Sequence, residues 1–317
     1  MNRPDLLGPC LDGIRSQTRV SYEILVVAYM FSGENMQWLR ENYPEVRIVL
    51  SDKLRGFAEN NNLALPLARG RFCFVVNDDT LMSMPVIDAL LSDFSSLGDD
   101  VAAVSPKIVF ADGRIQTLGR SEVSPWTYVR HYLHLVDEAK PGPGRMGTGL
   151  FETYNLNGAC FLVRTDVFRK AGWFDETYTF TPEDIALGSF LRQRGYRLYA
   201  DSRVSITHLA NSTASRMETA IKPTRVRGAL IFYSSLGHLS NPQKKPYNKL
   251  IYCLLAVFVL IVETLRGMKY MRRGVHYGFG SRDQIMATTA RNVRRTVFSS
   301  RTSGEIFRKL YSEIDRK

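Results

Sequence analysis

The stretch RFCFVVNDDTLM, residues 71–82, decides how the rest of the chain is read. A short, mostly apolar run from Phe72 to Val76 stops abruptly on Asn77, Asp78 and Asp79. Such polar groups are costly to bury unless they are paired, hydrated or bound to a cation. Two readings stay open here. In an Asx turn, Asp or Asn would cap the strand exit with its own side chain. In a metal site the same oxygens would hold a hard cation, since Mg²⁺ commonly uses one or two carboxylates together with substrate phosphates.

Working outward from this strand, residues 1–110 alternate between helical and strand patterns. Leu6, Leu7, Cys10, Leu11 and Ile14 have helical spacing, which predicts a helix over Pro4 to Gln17. Strands are expected over 22–28, 46–50, 72–76 and 101–109, and helices over 36–42, 57–68 and 85–96. Alternation of this kind implies parallel strands covered by helices, with ligands bound at the carboxyl ends of the strands. Asn77 to Asp79 would sit there.

Residues 111–155, with PGPGRMGTG near their end, are expected to form a surface loop or lid. Order resumes with a strand over 160–163, a helix over 166–171, a helix over 181–195 and a strand over 197–207 that leads to His208. Thr181-Pro-Glu-Asp184 reads first as a helix start, with Thr as N-cap, Pro at the first helical position and acids in the first turn. A carboxylate there would also face the end of the fold that carries Asp79, where it could act as a general base. A lone histidine such as His208 is more often a partly buried polar residue than a ligand; beside Asp79 it could complete a metal site.

The net charge of +11 is unevenly spread over the 317 residues. Residues 221–317 hold 19 Lys and Arg against 5 acids, a net of +14, which leaves −3 for residues 1–220. A near-neutral body thus carries a basic helical tail, and a division at 1–220 and 221–317 is expected. Within the tail, LIYCLLAVFVLIV (250–262) is a run of 13 uncharged residues inside an expected apolar helix over about 249–266. That is short for a bilayer span, which takes roughly 20 residues. A buried core helix and an interfacial membrane helix both fit, and the basic clusters Lys244-Lys245, Arg272-Arg273 and Arg294-Arg295 favour an anionic membrane surface. Nucleic acid is not expected as a partner, because no zinc, RRM or helix-turn-helix signature accompanies the basic residues. The four cysteines are scattered without a CxxC pair, which suits a reducing compartment. MNRPDLLGPC has no basic region followed by an apolar run, so no signal peptide is expected. The body is expected in the cytoplasm, peripheral to the inner face of the plasma membrane.

Taken in order, these pieces resemble the family 2 glycosyltransferases, in particular the bacterial rhamnosyltransferase-like branch with the GT-A fold. The likeness covers most of residues 1–213. It is carried by NRPDLLGPCLDGI, YEILVV, RGFAENNNLAL, VVNDDTLM, SPKIVFADGRIQTLG, NGACFLVRTDVF, GWFDE, PEDIALGSFLRQRGYRL and the stretch from His208 to Thr213. The resemblance implies an α/β, Rossmann-like mixed sheet flanked by helices, and an inverting transfer of rhamnose or another hexose. The donor would be a nucleotide-diphosphate sugar and the acceptor a hydroxyl on a glycan or lipid-linked molecule, in cell-surface polysaccharide synthesis.

The same resemblance implies roles. Asp79 and His208 would hold Mg²⁺ or Mn²⁺, and Asn77, Asp78, Arg55 and Asn61 would contact the nucleotide. Asp184 would be the catalytic base, with Glu183, Gly158, Ala159 and Trp173 around the sugar and acceptor. Three departures stand against this pattern. The chain begins past the family's first strand, as a misplaced start or a truncated copy would. Val26-Val27-Ala28-Tyr29 replaces the usual valine-valine-aspartate-asparagine, and Ala186 replaces an acid after the base. The alternative reading is therefore a non-catalytic, membrane-associated relative that has lost its nucleotide site.

Overall fold

The computed structural model describes residues 2–135, 148–209, 217–236, 248–277 and 281–315. The first half alternates as expected: α1 (Pro4–Gln17), β1 (Leu25–Tyr29), α2 (Gly33–Asn42), β2 (Arg47–Ser51), α3 (Phe57–Ala64), β3 (Phe72–Val76), β4 (Thr80–Leu81), α4 (Val86–Ser96) and β5 (Val101–Val109). Residues 65–67 add one 3-10 turn after α3, which shortens the helix expected over 57–68. Pro66 explains the break, since it cannot donate to the helical ladder.

Residues 111–155 are not wholly irregular. They carry β6 (Ile115–Thr117), α5 (Pro125–Tyr132) and β7 (Leu150–Thr153); most of PGPGRMGTG lies outside the described residues. β8 (Cys160–Arg164), α6 (Thr165–Lys170), α7 (Glu183–Gln193) and β9 (Arg197–His208) complete the body.

The strands form two separate sheets. β1 and β2 pair in parallel as one; β3, β8, β5, β9 and β4 lie side by side in the other, with β6 on β5 and β7 on β9. Only β5–β9 is parallel in the larger sheet, so the architecture is mixed rather than the all-parallel arrangement that alternation implied. The cause is local. Residues 111–155 return the chain to the sheet at the end of β3, where Cys160 pairs with Val76, so β8 runs antiparallel. β5 and β8, covered on both faces, are almost entirely buried.

Helix α1 joins the two sheets. Leu7 and Leu11 pack with Val26, Leu39 and Val46 of the smaller layer. Cys10 and Ile14, on the adjacent helical row, pack with Met82, Val86 and Leu90 of the larger one. Among the described residues β1 pairs with β2 alone and β3 with β8 alone, and a slot between the two sheets is lined by both β1 and β3.

The tail is helical: α8 (Glu218–Ser235), α9 (Lys249–Tyr277), α10 (Ser281–Thr296) and α11 (Ser303–Asp315). It shares a core with the body, in which Tyr178 and Ala186 meet Leu230, Tyr252, Ala256 and Val259. α9 runs well past the expected end near 266, since Lys269 to Arg273 continue as helix while pointing to solvent.

Candidate active site

The end of β3 is held by backbone bonds on both sides. Asn77 N–H donates to Ala159 O at 3.0 Å, and Leu209 N–H donates to Asp79 O at 2.9 Å. β4 then pairs with β9 so that Thr80 lies opposite His208. This register brings together two residues far apart in sequence: His208 Nε2 lies 3.1 Å from Asp79 Oδ1. Both side chains are largely buried, 12% and 17% exposed, so their contact is only weakly screened by water.

Gln116, at the centre of β6, orients the imidazole. Its Oε1 lies 2.8 Å from His208 Nδ1, which therefore donates. The Nε2 lone pair is left facing the Asp79 carboxylate, with the Asn77 amide nitrogen 3.4 Å away on the same side. Both atoms, Nε2 and Asp79 Oδ1, face the same space, where they could share a bound cation. An imidazole nitrogen and a carboxylate oxygen are a donor pair that suits a divalent cation such as Mn²⁺. Among the described residues no group of three or more His, Cys, Asp or Glu gathers, so the candidate donors are this pair, with Asn77 and Asp78 beside it. Such a partial set suits a metal that also takes substrate oxygens.

A cavity of about 1100 Å³ opens here, lined by Asn77, Asp78, Asp79, His208, Arg55 and Asn61 among others. Its other end is the slot between β1 and β3. Positive charge enters from two sides: Arg225 of α8 lines the cavity, and Arg3, bonded to Asp5, feels the charges of Asp78 and Asp79. Arg55 Nη1 donates to Ser51 Oγ at 3.0 Å, while the Tyr29 hydroxyl bonds the Arg55 carbonyl at 2.9 Å. Thus Tyr29, at the end of Val26-Val27-Ala28-Tyr29, positions the loop before α3. Asn61 donates to Phe57 O at 2.9 Å within its own helix, whereas Asn62 ties α3 to the Phe174 backbone.

Asp184 and Glu183 open α7, but not with the capping expected. Pro182 is the N-cap and no side chain caps the helix. Thr181 instead has φ +47° and stands before the cap, its carbonyl lying close to Gly228 of α8. Asp184 is 6% exposed, and its Oδ2 accepts from Gly158 N–H at 2.8 Å and Arg120 Nη1 at 3.2 Å. The segment that holds Asp184 through Gly158 holds Asn77 through Ala159, so one short turn connects the two acidic stretches. Burial and the adjacent Asp184 push the Glu183 carboxyl up, to about 8.

The expected site residues therefore fall into three groups. Asn77, Asp78, Asp79, His208, Arg55 and Asn61 share the cavity. Asp184 and Glu183 sit behind it, joined to it by Gly158 and Ala159, and do not line it. Trp173 is elsewhere, packed edge-on to Phe168 with Arg169 over its ring. The remainder of the His208 to Thr213 stretch beyond Leu209 lies outside the described residues. Gln116, Arg120 and Arg225 were not singled out from the sequence; their polar side chains within apolar or basic segments gave no periodic signal.

A mixed sheet whose acidic strand end meets a histidine over an open cavity belongs to the class of GT-A glycosyltransferase folds. The family model "Glycosyl transferase family 2" matches residues 1–172, more than half of the chain, and the protein belongs to that family. Among curated proteins, the O-antigen biosynthesis protein RfbC of Myxococcus xanthus is 29% identical over 228 residues, 69% of this chain and 17% of that protein. An N-acetylglucosaminyl-diphospho-decaprenol L-rhamnosyltransferase of Mycobacterium tuberculosis is 30% identical over 157 residues, 44% of this chain and 47% of that protein. The chain thus spans less than half the length of either relative. GalNAc-T7, solved with UDP, GalNAc and Mn²⁺, has the same fold at a TM-score of 0.50 and 12% identity, covering 73% of this chain and 47% of its own.

Proposed function

We propose that this protein is an inverting glycosyltransferase. It would move rhamnose or another hexose from a nucleotide-diphosphate sugar to a hydroxyl on a lipid-linked glycan, at an anionic membrane surface. The observation that carries the reading is the Asp79–His208 pair, 3.1 Å apart and opening into a cavity that Arg55, Asn61 and Arg225 also line. The family supports the transferase class. A relative named for a decaprenol-linked acceptor and a solved neighbour holding UDP and Mn²⁺ support the partners.

In this reading the sugar nucleotide enters the cavity with its diphosphate toward Asp79 and its base toward Asn61 and Arg55. Asp79 and His208 would hold Mg²⁺ or Mn²⁺, with Asn77 beside them; when bound, the cation would supply Lewis-acid assistance to the departing diphosphate. Gln116 keeps the Nε2 lone pair of His208 directed at that position. Arg225 adds positive charge where negative charge develops on the leaving group, an electrostatic form of transition-state stabilisation. Asp184 would take the acceptor proton as that oxygen attacks the anomeric carbon from the opposite face. Positioned proton transfer of this kind contributes ~10²–10⁴-fold. Asp184 now accepts from Gly158 and Arg120, so acceptor binding would have to reach it past Gly158, where only a hydrogen occupies the space a side chain would fill.

The test is release of nucleoside diphosphate from a panel of UDP-, dTDP- and GDP-sugars with Mn²⁺, on membranes carrying lipid-linked acceptors. Asp184→Asn should abolish turnover and leave donor binding nearly intact; near-normal turnover would overturn the base assignment. A second reading, a non-catalytic relative, is favoured by one observation: β1 ends on Ala28 and Tyr29 beside an open slot, with no carboxylate on that strand. Absence of calorimetric binding by every donor in the panel would select it.

A further inference from the structure

Helix α9 presents apolar residues on two opposite faces. Its inner face, with Tyr252, Leu255, Ala256 and Val259, is buried in the shared core. Its outer face carries a continuous stripe at three- and four-residue spacing: Leu250, Leu254, Val257, Ile261, Leu265 and Met268, between 44% and 69% exposed. A patch of this length on a soluble surface marks an interaction site.

The two charges inside the stripe's span both turn inward. Glu263 is fully buried and accepts from Tyr132 at 2.8 Å, Lys222 at 3.2 Å and Arg266 at 2.7 Å. Arg266 also reaches the Tyr132 carbonyl. These bonds tie one turn of α9 to α5 and α8 and leave the outward face without charge from Leu250 to Met268. Basic side chains resume at both ends, with Lys249 at one and Lys269, Arg272 and Arg273 at the other, all exposed.

We propose that this face is a membrane-contact surface on which α9 lies in the plane of one leaflet of an anionic bilayer. The proposal deepens the membrane partner suggested above and does not require chemistry in the cleft. Lys249–Arg273 is long and apolar enough to cross a membrane by length and composition. The packing argues otherwise: a spanning helix would have to carry Glu263, Lys222 and the shared core into lipid or tear them apart. In-plane seating immerses only the stripe and places the terminal bases at the headgroups. A second copy of the chain fits less well. Its own stripe is also bounded by bases at both ends, so either orientation of a pair sets like charges together, whereas anionic lipid is complementary at both ends.

The test uses the full chain and vesicles without donor or acceptor. Binding should be strong to vesicles rich in phosphatidylglycerol and at least about tenfold weaker to pure phosphatidylcholine, since each basic residue near the surface adds attraction. The variant Leu254→Ser/Ile261→Ser/Leu265→Ser should lose binding at least about tenfold while its melting temperature and its donor binding in detergent stay unchanged. Cys253 is the exposed cysteine, the other three being buried, and offers a site for a fluorescent label. A label at Cys253 and one at Met268→Cys (in a Cys253→Ser background) should be quenched equally by nitroxides at a single shallow depth. Undiminished binding by the serine variant would overturn the proposal. So would different depths at the two labels, which would mean a spanning helix. A lipid-free dimer that the serine variant dissociates would assign the face to a second copy instead.

Discussion

Gly56 and Thr179 are in contact without room for a single added carbon: a Cβ at position 56 would fall 2.1 Å from the Thr179 carbonyl oxygen. The Phe57 N–H donates to that same oxygen at 2.8 Å, so the loop entering α3 is bonded to the loop entering α7. Arg55, Gly56 and Asn61 line the cavity through this junction. The backbone of Gly56 is extended, at φ −84° and ψ −176°, which any residue adopts, so the requirement is purely steric.

Gly56→Ala should therefore destabilise the fold by an overpacking cost of about 1–3 kcal/mol. In a chain of this size that reads as a fall in melting temperature of about 2–4 °C per kcal/mol. Gly33→Ala, where nothing lies within 4 Å of the added carbon, should be nearly neutral in the same thermal melt. Equal melting of the two variants would refute the junction.

Replacing Gln116 by Leu removes the acceptor that fixes the His208 ring. Loss of such an orienting partner typically weakens metal binding 10–100-fold. The expected result is that Gln116→Leu and His208→Ala both reduce Mn²⁺ affinity, the second more strongly. Titration followed by electron paramagnetic resonance measures this directly, and unchanged affinity in His208→Ala would remove the histidine from the metal site.

Arg120 supplies the charged partner of a nearly buried Asp184, with side chains 19% and 9% exposed. Breaking such a pair from one side costs about 3–5 kcal/mol, because the other charge is left without its partner. Arg120→Met should be strongly destabilising, and Arg120→Met/Asp184→Asn less so than the sum of the single changes. Chemical denaturation of the four proteins closes the cycle; additivity would show that the two side chains act independently.

Glu183 predicts a pH dependence of stability. Its folded-state carboxyl lies near 8, raised by burial and by Asp184, against an ordinary value of 4.5. Between those values the folded state holds a proton that the unfolded state has released, so stability falls as pH rises through that window. Glu183→Gln keeps a neutral side chain at all pH and should flatten the decline. The melting temperature of Glu183→Gln should therefore rise relative to that of the parent protein as pH goes from 5 to 8. Parallel pH profiles for the two proteins would count against a buried, protonated Glu183.

Much of the fold is written in local periodicity. α1, β3 and β5 have the bounds that their apolar spacing predicts, because each buries a regular face or a whole strand. What local pattern misses is short or fixed at a distance. α5 has only Tyr128 fully inside, so PWTYVRHY shows no stripe; its Ser124-Pro-Trp-Thr127 capping box was the available signal. Thr181 looks like an N-cap in sequence, but Pro182 takes that position and Thr181, at φ +47°, stands one residue before it. The strand-end acids were legible because carboxylates after an apolar run are chemically conspicuous. Their meeting with His208 depends on the β4–β9 register, which no local spacing encodes. Gln116 is found only once that register is known.

The slot between β1 and β3 also divides the molecule mechanically. β1, β2 and α2 touch the larger sheet chiefly through α1 and α3, without a shared hydrogen-bonded ladder. That smaller layer should consequently open as a cooperative unit of its own, exchanging its amide protons at a lower free-energy threshold than β5 and β9. The nucleotide side of the cleft would then be the pliable half and the acidic strand end the rigid one, so a ligand bridging both would register first as slowed exchange in Leu25 to Tyr29.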